Sequence, residues 1–346
     1  RDVLGSRGLG DVYKRQHLMN IHPMWNTYPT LSKELTTTLR LMEQAVQIDN
    51  QEIQAAVHDM IHSGGKLLRP AYQLLFSYFG EQRDPKKATA LAASIELLHT
   101  ATLVHDDIVD EADTRRGLPT LRSRFGNSTA VYTGDYLFVC CFKLLSDYSS
   151  SLKSIQLNSR SMEKVLTGEL GQMDNRYNFE VTIDQYLKNI SGKTAELFAL
   201  SCFVGAYESG TSQRFAKRCG EIGENIGLAF QIIDDILDYT QTADAIGKPV
   251  LEDVRQGVYS LPLIYALEAN REVLLPLLMK KETLTDEETQ EIYRLVHELG
   301  GVEKAQQLAT HYTEKALKEI SKLPETKAQA KEQLYEITQT ILTREN

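Results

Sequence analysis

What the sequence lacks narrows its class first. Its 346 residues include only four cysteines, Cys140, Cys141, Cys202 and Cys219. None forms a Cys-x-x-Cys pair, and all lie in apolar or helical surroundings. Buried thiols in a reducing compartment are therefore expected, rather than a disulfide framework. No apolar run is long enough to span a bilayer, and no secretory signal is visible, so the expected location is cytoplasmic. Basic charge is not in excess. The formal net charge of −9 argues against a general nucleic-acid binder, which needs a basic face. It does not forbid an anionic substrate, because a local basic cluster or a bound cation can govern a site. Linkers, simple repeats and strand patterns are missing, and no Ser–His or Cys–His arrangement suggests a nucleophilic side chain. With 25% of residues charged, the class is soluble and globular.

The first sixteen residues, RDVLGSRGLGDVYKRQ, carry no starting methionine and no periodic apolar pattern. Residues 1–16 read as a translated cloning adaptor, with Met19 as a native start; a natural disordered tail is the bland alternative. Residues 17–346 are therefore expected to form the folded domain.

Helical periodicity fills most of the chain after residue 30. LSKELTTTLRLMEQAVQ spaces Leu31, Leu35, Leu39 and Met42 at three and four residues, one face of a helix. NQEIQAAVHDMIHS repeats the pattern with Ile53, Val57 and Ile61, and Gly64–Gly65 stops it. DPKKATALAASIELLHTATLVHDDIVDEAD reads as one long helix with Asp84 as its cap. An irregular stretch, QTADAIGKPVLEDVRQGVYSLP, interrupts the helices before an amphipathic, charged last third. The expected fold is all-α, a single helical domain.

Two acidic clusters stand out. HDDIVDEADTRRG begins with Asp106, Asp107 and Asp110 after a buried-looking apolar run. On a helix, positions i and i+4 lie about 40° apart, so Asp106 and Asp110 share a face and Asp107 lies within about 100° of both. Carboxylates this dense at the end of an apolar helix repel one another unless a cation sits among them. Hard oxygen ligands suit Mg²⁺, which shares its shell with water and substrate phosphates. FQIIDDILDY repeats the spacing 128 residues later with Asp234, Asp235 and Asp238. One such cluster is as compatible with a solvated face as with a site. Two, each ending an apolar helix, point to one shared polymetal site in a bundle core. Basic residues complement them. Lys66 and Arg69 follow the diglycine near a helix start, where anions bind well. Arg115 and Arg116 follow the first acids, and Lys193 and Lys248 stand in GKT and GKP. A metal-loaded acidic site beside an arginine pocket fits diphosphate chemistry. His99 lies about 20° from Asp106 on the same helical face. His105 next to Asp106 resembles the HD pair of metal phosphohydrolases, but that leaves the second cluster and the basic motifs without a role.

GGKLLRP, LLHTATLVHDDIVDEADTRRG, GKT, QIIDDILD and GKP occur in the order and roughly the spacing of the polyprenyl synthetase family. From about residue 30 onward the chain resembles a trans-isoprenyl diphosphate synthase of that family. The pattern is especially like the large catalytic subunit (component II) of bacterial heptaprenyl diphosphate synthases. The resemblance implies the isoprenoid synthase fold, a large helical bundle around a central cavity. It also implies an allylic diphosphate lying across three Mg²⁺ ions. Asp106 and Asp110, supported by Asp107, would hold two ions; Asp234 would hold the third, with Asp235 and Asp238 acting directly or through water. Arg115, Lys193 and Lys248 match positions that grip the allylic diphosphate. Lys66, Arg69, His99 and Arg116 match those that bind isopentenyl diphosphate, and Thr194 and Gln231 those beside the developing allylic cation.

In the family, bulky aromatics four or five residues before the first aspartate close the product tunnel. Here those positions are Thr102 and Ala101, with Leu98 a turn below. The resemblance therefore implies a medium or long product of the kind that anchors menaquinone or a related quinone. It implies either a homodimer or a pairing with a small unrelated subunit. A short-chain farnesyl or geranylgeranyl synthase and a non-catalytic regulatory subunit are the alternatives. One departure is Val258, where many relatives carry a lysine or other polar residue after the glycine of this loop.

Overall fold

A computed structural model describes residues 21–63, 65–241 and 251–343. The leader 1–16, Met19 and Lys248 lie outside the described residues. The chain forms two compact units: one is the stretch to Ile155 together with Phe203–Ala216, the other Gln156–Cys202 together with the chain from Lys217 onward.

In the first unit, α1 (Pro29–Ala45), α2 (Gln51–His62) and α3 (Leu68–Phe76) lead to α4 (Pro85–Val109). Asp84 caps α4 by accepting a hydrogen bond from the Lys86 N–H at 3.0 Å, as its sequence position suggests. From Ala88 to Leu98 every residue of α4 is buried. A helix apolar all round belongs at a core centre, and α4 packs against α1, α3 and α6 (Asn127–Tyr148). Each fully buried leucine or isoleucine there contributes about 1.5–3 kcal/mol. Its buried hydroxyls are satisfied by its own backbone, as in Ser94 Oγ to the Leu91 carbonyl at 2.7 Å. The helix ends at Val109 rather than running through Asp113. Asp110 is its C-cap, still bonded through its N–H to the Asp106 carbonyl at 2.8 Å.

Beyond Asp110 the chain makes what the helical reading leaves out, a two-residue ladder of β1 (Thr114–Arg115) and β2 (Leu118–Pro119). Its loop is Arg116–Gly117, both with positive φ (50° and 76°), the pattern of a type I′ turn. A short α5 (Leu121–Phe125) precedes α6.

The second unit contains most of α7 (Leu152–Asp174), then α8 (Ile183–Ile190) and a π-helical turn (Ser191–Ala195). The turn runs directly into α9 (Glu196–Glu208), which is followed by α10 (Gln213–Leu237). A Thr182–Gln185 capping box starts α8, a signal legible in the sequence. After residue 250 come α11 (Glu252–Arg255), α12 (Leu261–Ala269), α13 (Arg271–Leu278), α14 (Asp286–Glu298), α15 (Gly301–Ser321) and α16 (Ala330–Leu342). Tyr239, Val254, Leu263, Leu274 and Ile292 join in one apolar cluster that supports the end of α10.

Candidate active site

In the first unit, the end of α4 and the hairpin after it bring acids and arginines together. The three aspartates differ in environment. Asp107 is 3% exposed and accepts from Arg115 Nε at 2.9 Å and Nη2 at 2.7 Å. Asp106 is half-buried and Asp110 exposed. All three sit at the helix C-terminus, where the macrodipole is negative, so carboxylates are disfavoured unless positive charge is supplied. Arg115 supplies part of it at Asp107.

Arg116 turns the other way, over Gly65. A Cβ on Gly65 would lie 2.7 Å from Arg116 Nη1, so a larger residue there would make the guanidinium shift. Leu67 adopts φ 55° as the left-handed N-cap of α3. In the first turn of α3, Arg69 Nη1 lies 3.3 Å from His99 Nε2. Burial, and then the positive charges of Arg69, Arg116 and Arg115, hold His99 well below the ordinary imidazole range, so the ring is neutral near pH 7. Glu96, one turn before His99, is buried, and its carboxyl is pushed up to about 7 by burial against the opposing pull of Arg69 and Arg116. Glu96, Asp107, Arg115 and Arg116 line a cavity of about 30 Å³. Sequence reasoning passes over Glu96; a glutamate inside an otherwise apolar and small-residue run was the available signal.

The chain-length positions lie on α4 as well. Leu98 and Ala101 are 2% and 0% exposed. Thr102 is half-buried, and its hydroxyl bonds the His99 carbonyl at 2.6 Å. His105 is committed to helix packing. Its Nε2 lies 3.2 Å from Asp135 Oδ1 of α6, its ring meets Phe138 at 5.5 Å, and a Cβ on Gly134 would fall 2.4 Å from it.

In the second unit, the π-helical turn carries Lys193 and Thr194. π-turns recur at functional sites because they re-aim side chains out of register. This one lies tight against α7: a Cβ on Gly168 would come within 2.6 Å of the Lys193 backbone nitrogen. The approach sets Lys193 Nζ 2.8 Å from Gln172 Oε1 and 3.5 Å from Glu169 Oε2. A hydrogen-bond chain then joins the turn to α10. Thr194 Oγ1 donates to Gln231 Oε1 at 2.8 Å, and Gln231 Nε2 donates to Asp235 Oδ1 at 3.1 Å. The other Asp235 oxygen accepts from the Tyr186 hydroxyl of α8. Asp235 is held up at about 7, chiefly by burial and further by the charges of Asp238 and Asp234. Asp234 and Asp238 are half-buried. Lys193, Gln231, Asp235 and Asp238 share a cavity of about 110 Å³ with residues of the 251–260 loop, Val258 among them. Tyr186 is a second residue that sequence reasoning passes over, being one aromatic on an ordinary amphipathic helix.

Among the described residues no three His, Cys, Asp or Glu side chains converge to hold an ion by protein ligands alone. Mg²⁺ takes one or two carboxylates and fills the rest of its octahedron with water and substrate phosphate. The oxygen-only donors at Asp106 and Asp110, one turn apart at a negative helix end, fit it. Asp234 and Asp238 repeat that arrangement.

The family model for polyprenyl synthetase matches residues 50–296. The chain belongs to the polyprenyl synthetase family. Its relatives include heptaprenyl diphosphate synthase component 2 of Bacillus subtilis, 34% identical over 88% of this chain and 86% of that one. Another is a geranyl-diphosphate-specific nonaprenyl diphosphate synthase of Rhodobacter capsulatus, 37% identical over 77% of this chain and 82% of that one. Among solved structures, geranylgeranyl pyrophosphate synthase from Lactobacillus brevis superposes with a TM-score of 0.89 at 42% identity, covering 93% of this chain and 99% of that one. The fold is the all-α isoprenoid synthase fold, as the helical reading implies, and the protein is a trans-polyprenyl diphosphate synthase. Polyprenyl synthetases are metal-dependent enzymes, and a Caulobacter crescentus polyprenyl synthase, 28% identical with a TM-score of 0.84 over 92% of this chain and 97% of that one, was solved with calcium and isoprenyl diphosphate. No helix among the described residues is long and apolar enough to cross a membrane.

Proposed function

We propose that this synthase condenses isopentenyl diphosphate with an allylic diphosphate, farnesyl or geranylgeranyl, to make a medium or long all-trans polyprenyl diphosphate. A heptaprenyl-like product for a quinone side chain, made in the cytoplasm by residues 17–346 acting as one catalytic domain, is the reading the sequence favours. The observation that carries the long product is the pair Ala101 and Thr102, neither bulky enough to close a tunnel running along α4 from Asp106.

About three Mg²⁺ ions held there would supply positive charge that stabilises the leaving diphosphate. Asp106 and Asp110 would hold two of them and Asp234 the third, with Asp235 and Asp238 acting directly or through water. Arg115, Lys193 and Lys248 hold the allylic diphosphate and take up the charge it gains on leaving. Lys66, Arg69, His99 and Arg116 hold isopentenyl diphosphate so that its double bond meets the allylic carbon. Neutral His99 donates one N–H to that anion. Thr194 and Gln231 lie beside the cation. Asp107 fixes Arg115, and Asp235, with both oxygens engaged, fixes Gln231. Val258 leaves one contact to the diphosphate apolar.

The name component 2 carried by the Bacillus relative supports a partner subunit; a homodimer is the other arrangement. Exposed apolar stripes suit either. Val131, Val139 and Phe142 form one on α6, and Leu166, Leu170 and Met173 another on α7. A short product is the second reading, favoured by the 42% identity to a geranylgeranyl pyrophosphate synthase.

Labelled isopentenyl diphosphate and farnesyl diphosphate, incubated with Mg²⁺ and resolved by chromatography, separate the two. Products of six or more isoprene units are expected, from the chain alone or with a candidate small subunit. Thr102→Phe should shorten them. Products of four units or fewer from the wild type would sink the long-chain reading, and complete inactivity under both conditions would favour a non-catalytic subunit.

A further inference from the structure

The isopentenyl pocket proposed above is built around a turn whose backbone is set from outside the matched family segment. Trp25 is the single tryptophan of the chain and precedes residues 50–296. It lies in a 3₁₀ turn, Pro23–Thr27, that begins at His22, whose Nδ1 accepts from the Met24 N–H at 3.2 Å. The indole is 0% exposed, and its Nε1–H donates to the Lys66 carbonyl at 2.8 Å. That bond spans 41 positions and fixes the peptide plane between Lys66 and Leu67.

Three features of the pocket depend on that plane. Gly65 lies under the Arg116 guanidinium, whose tip a Cβ would meet at 2.7 Å. Leu67 is held left-handed, a conformation that disfavours itself in a branched residue and needs support from its surroundings. The same Leu67 starts α3, its carbonyl accepting from the Ala71 N–H at 3.0 Å, and α3 sets Arg69 against His99. The exposed Lys66 side chain leaves from the clamped residue itself.

We propose that Trp25 is a positioning residue of the isopentenyl diphosphate pocket, fixing the Gly65–Leu67 turn through its bond to the Lys66 carbonyl. This rests on the assignment of Lys66, Arg69, His99 and Arg116 to isopentenyl diphosphate. Losing the indole N–H leaves the Lys66 carbonyl without its donor and frees the turn to rotate. A ligand on Lys66 in turn changes the field at the indole, so the one tryptophan reports occupancy of this pocket through its fluorescence.

Trp25→Phe keeps a buried ring and removes the donor. The KM for isopentenyl diphosphate should rise about tenfold, equivalent to about 1.4 kcal/mol, while kcat and the KM for the allylic substrate hold steady. Titrating wild type with isopentenyl diphosphate should give a saturable change in tryptophan emission that Arg116→Ala weakens. Arg116→Ala run beside these assays tests the pocket. If it raises the KM for isopentenyl diphosphate while Trp25→Phe does not and the emission stays flat, the role of Trp25 is overturned and the pocket stands. If Arg116→Ala leaves that KM unchanged, the pocket assignment falls and takes the proposal with it. Should Trp25→Phe lose its helical circular dichroism, the wild-type titration decides: a saturable response supports the role, and silence overturns it.

Discussion

Arg116 is where most constraints on one residue meet. It occupies a left-handed position that a side chain disfavours, crowds Gly65, and shares a cavity with the buried Glu96. Glu96 gives this cluster a pH signature. Its carboxyl holds its proton up to about 7 in the folded chain, against an ordinary value of 4.5. Between those values the folded state binds more protons than the unfolded one, so this group's contribution to stability falls as pH rises and levels off above about 7. Glu96→Gln should remove that share of the slope, leaving the part that Asp235 contributes in the same direction. Urea denaturation at a series of pH values from 4.5 to 7 checks this. Equal slopes for variant and wild type would show that Glu96 does not titrate there. The aspartates were legible in the sequence because their spacing is extreme. Glu96 was not, because burial, rather than pattern, makes it unusual.

At the scale of elements, helix approach is governed by small residues. Gly205 of α9 faces the backbone of α3, and a Cβ there would lie 2.2 Å from the Gln73 carbonyl oxygen. Gly205→Ala should destabilise the chain by about 1–3 kcal/mol, the usual penalty for overpacking. Denaturation midpoints measure it, and an unchanged midpoint would mean the two helices part without difficulty. Periodicity revealed the helices themselves, since apolar spacing survives any arrangement. It missed the β1–β2 ladder and the π-turn. The ladder has two residues per strand, too short for an alternation, and its turn uses Arg116 where Asn or Asp is the usual signal. The π-turn sits inside a continuous helical pattern, where one extra residue per turn leaves no mark on the sequence. Helix α4 stops at Val109 although the acidic run continues, because the chain there turns into the hairpin that delivers Arg115 to Asp107.

For the whole molecule, exposed apolar surface is the feature that isolated units leave unexplained. The α6 stripe of Val131, Val139 and Phe142 and the α7 stripe of Leu166, Leu170 and Met173 are each spaced along one helical face, the form a partner-binding surface takes. Sedimentation should find the wild type as a dimer, or joined to a small subunit when one is supplied. Phe142→Glu should weaken that association, and a wild type that remains monomeric in both conditions would remove the reading. Oligomeric arrangement was beyond the sequence, because an amphipathic helix carries the same pattern whether its apolar face meets its own core or another chain.

The bonds from Thr194 through Gln231 to Asp235 all run one way. Each group gives its hydrogen toward the carboxylate, and Tyr186 gives its own from the opposite side. A row of donors pointing in one direction is a small aligned dipole with its negative end at the threonine oxygen. With its hydrogen committed, that oxygen can offer only lone pairs. The carboxyl of Asp235 thus sets the direction of the Thr194 hydroxyl without touching it, as orientation passed along two side chains. Replacing Asp235 would let Gln231 flip its amide, and the Thr194 hydroxyl would then be free to turn its hydrogen the other way.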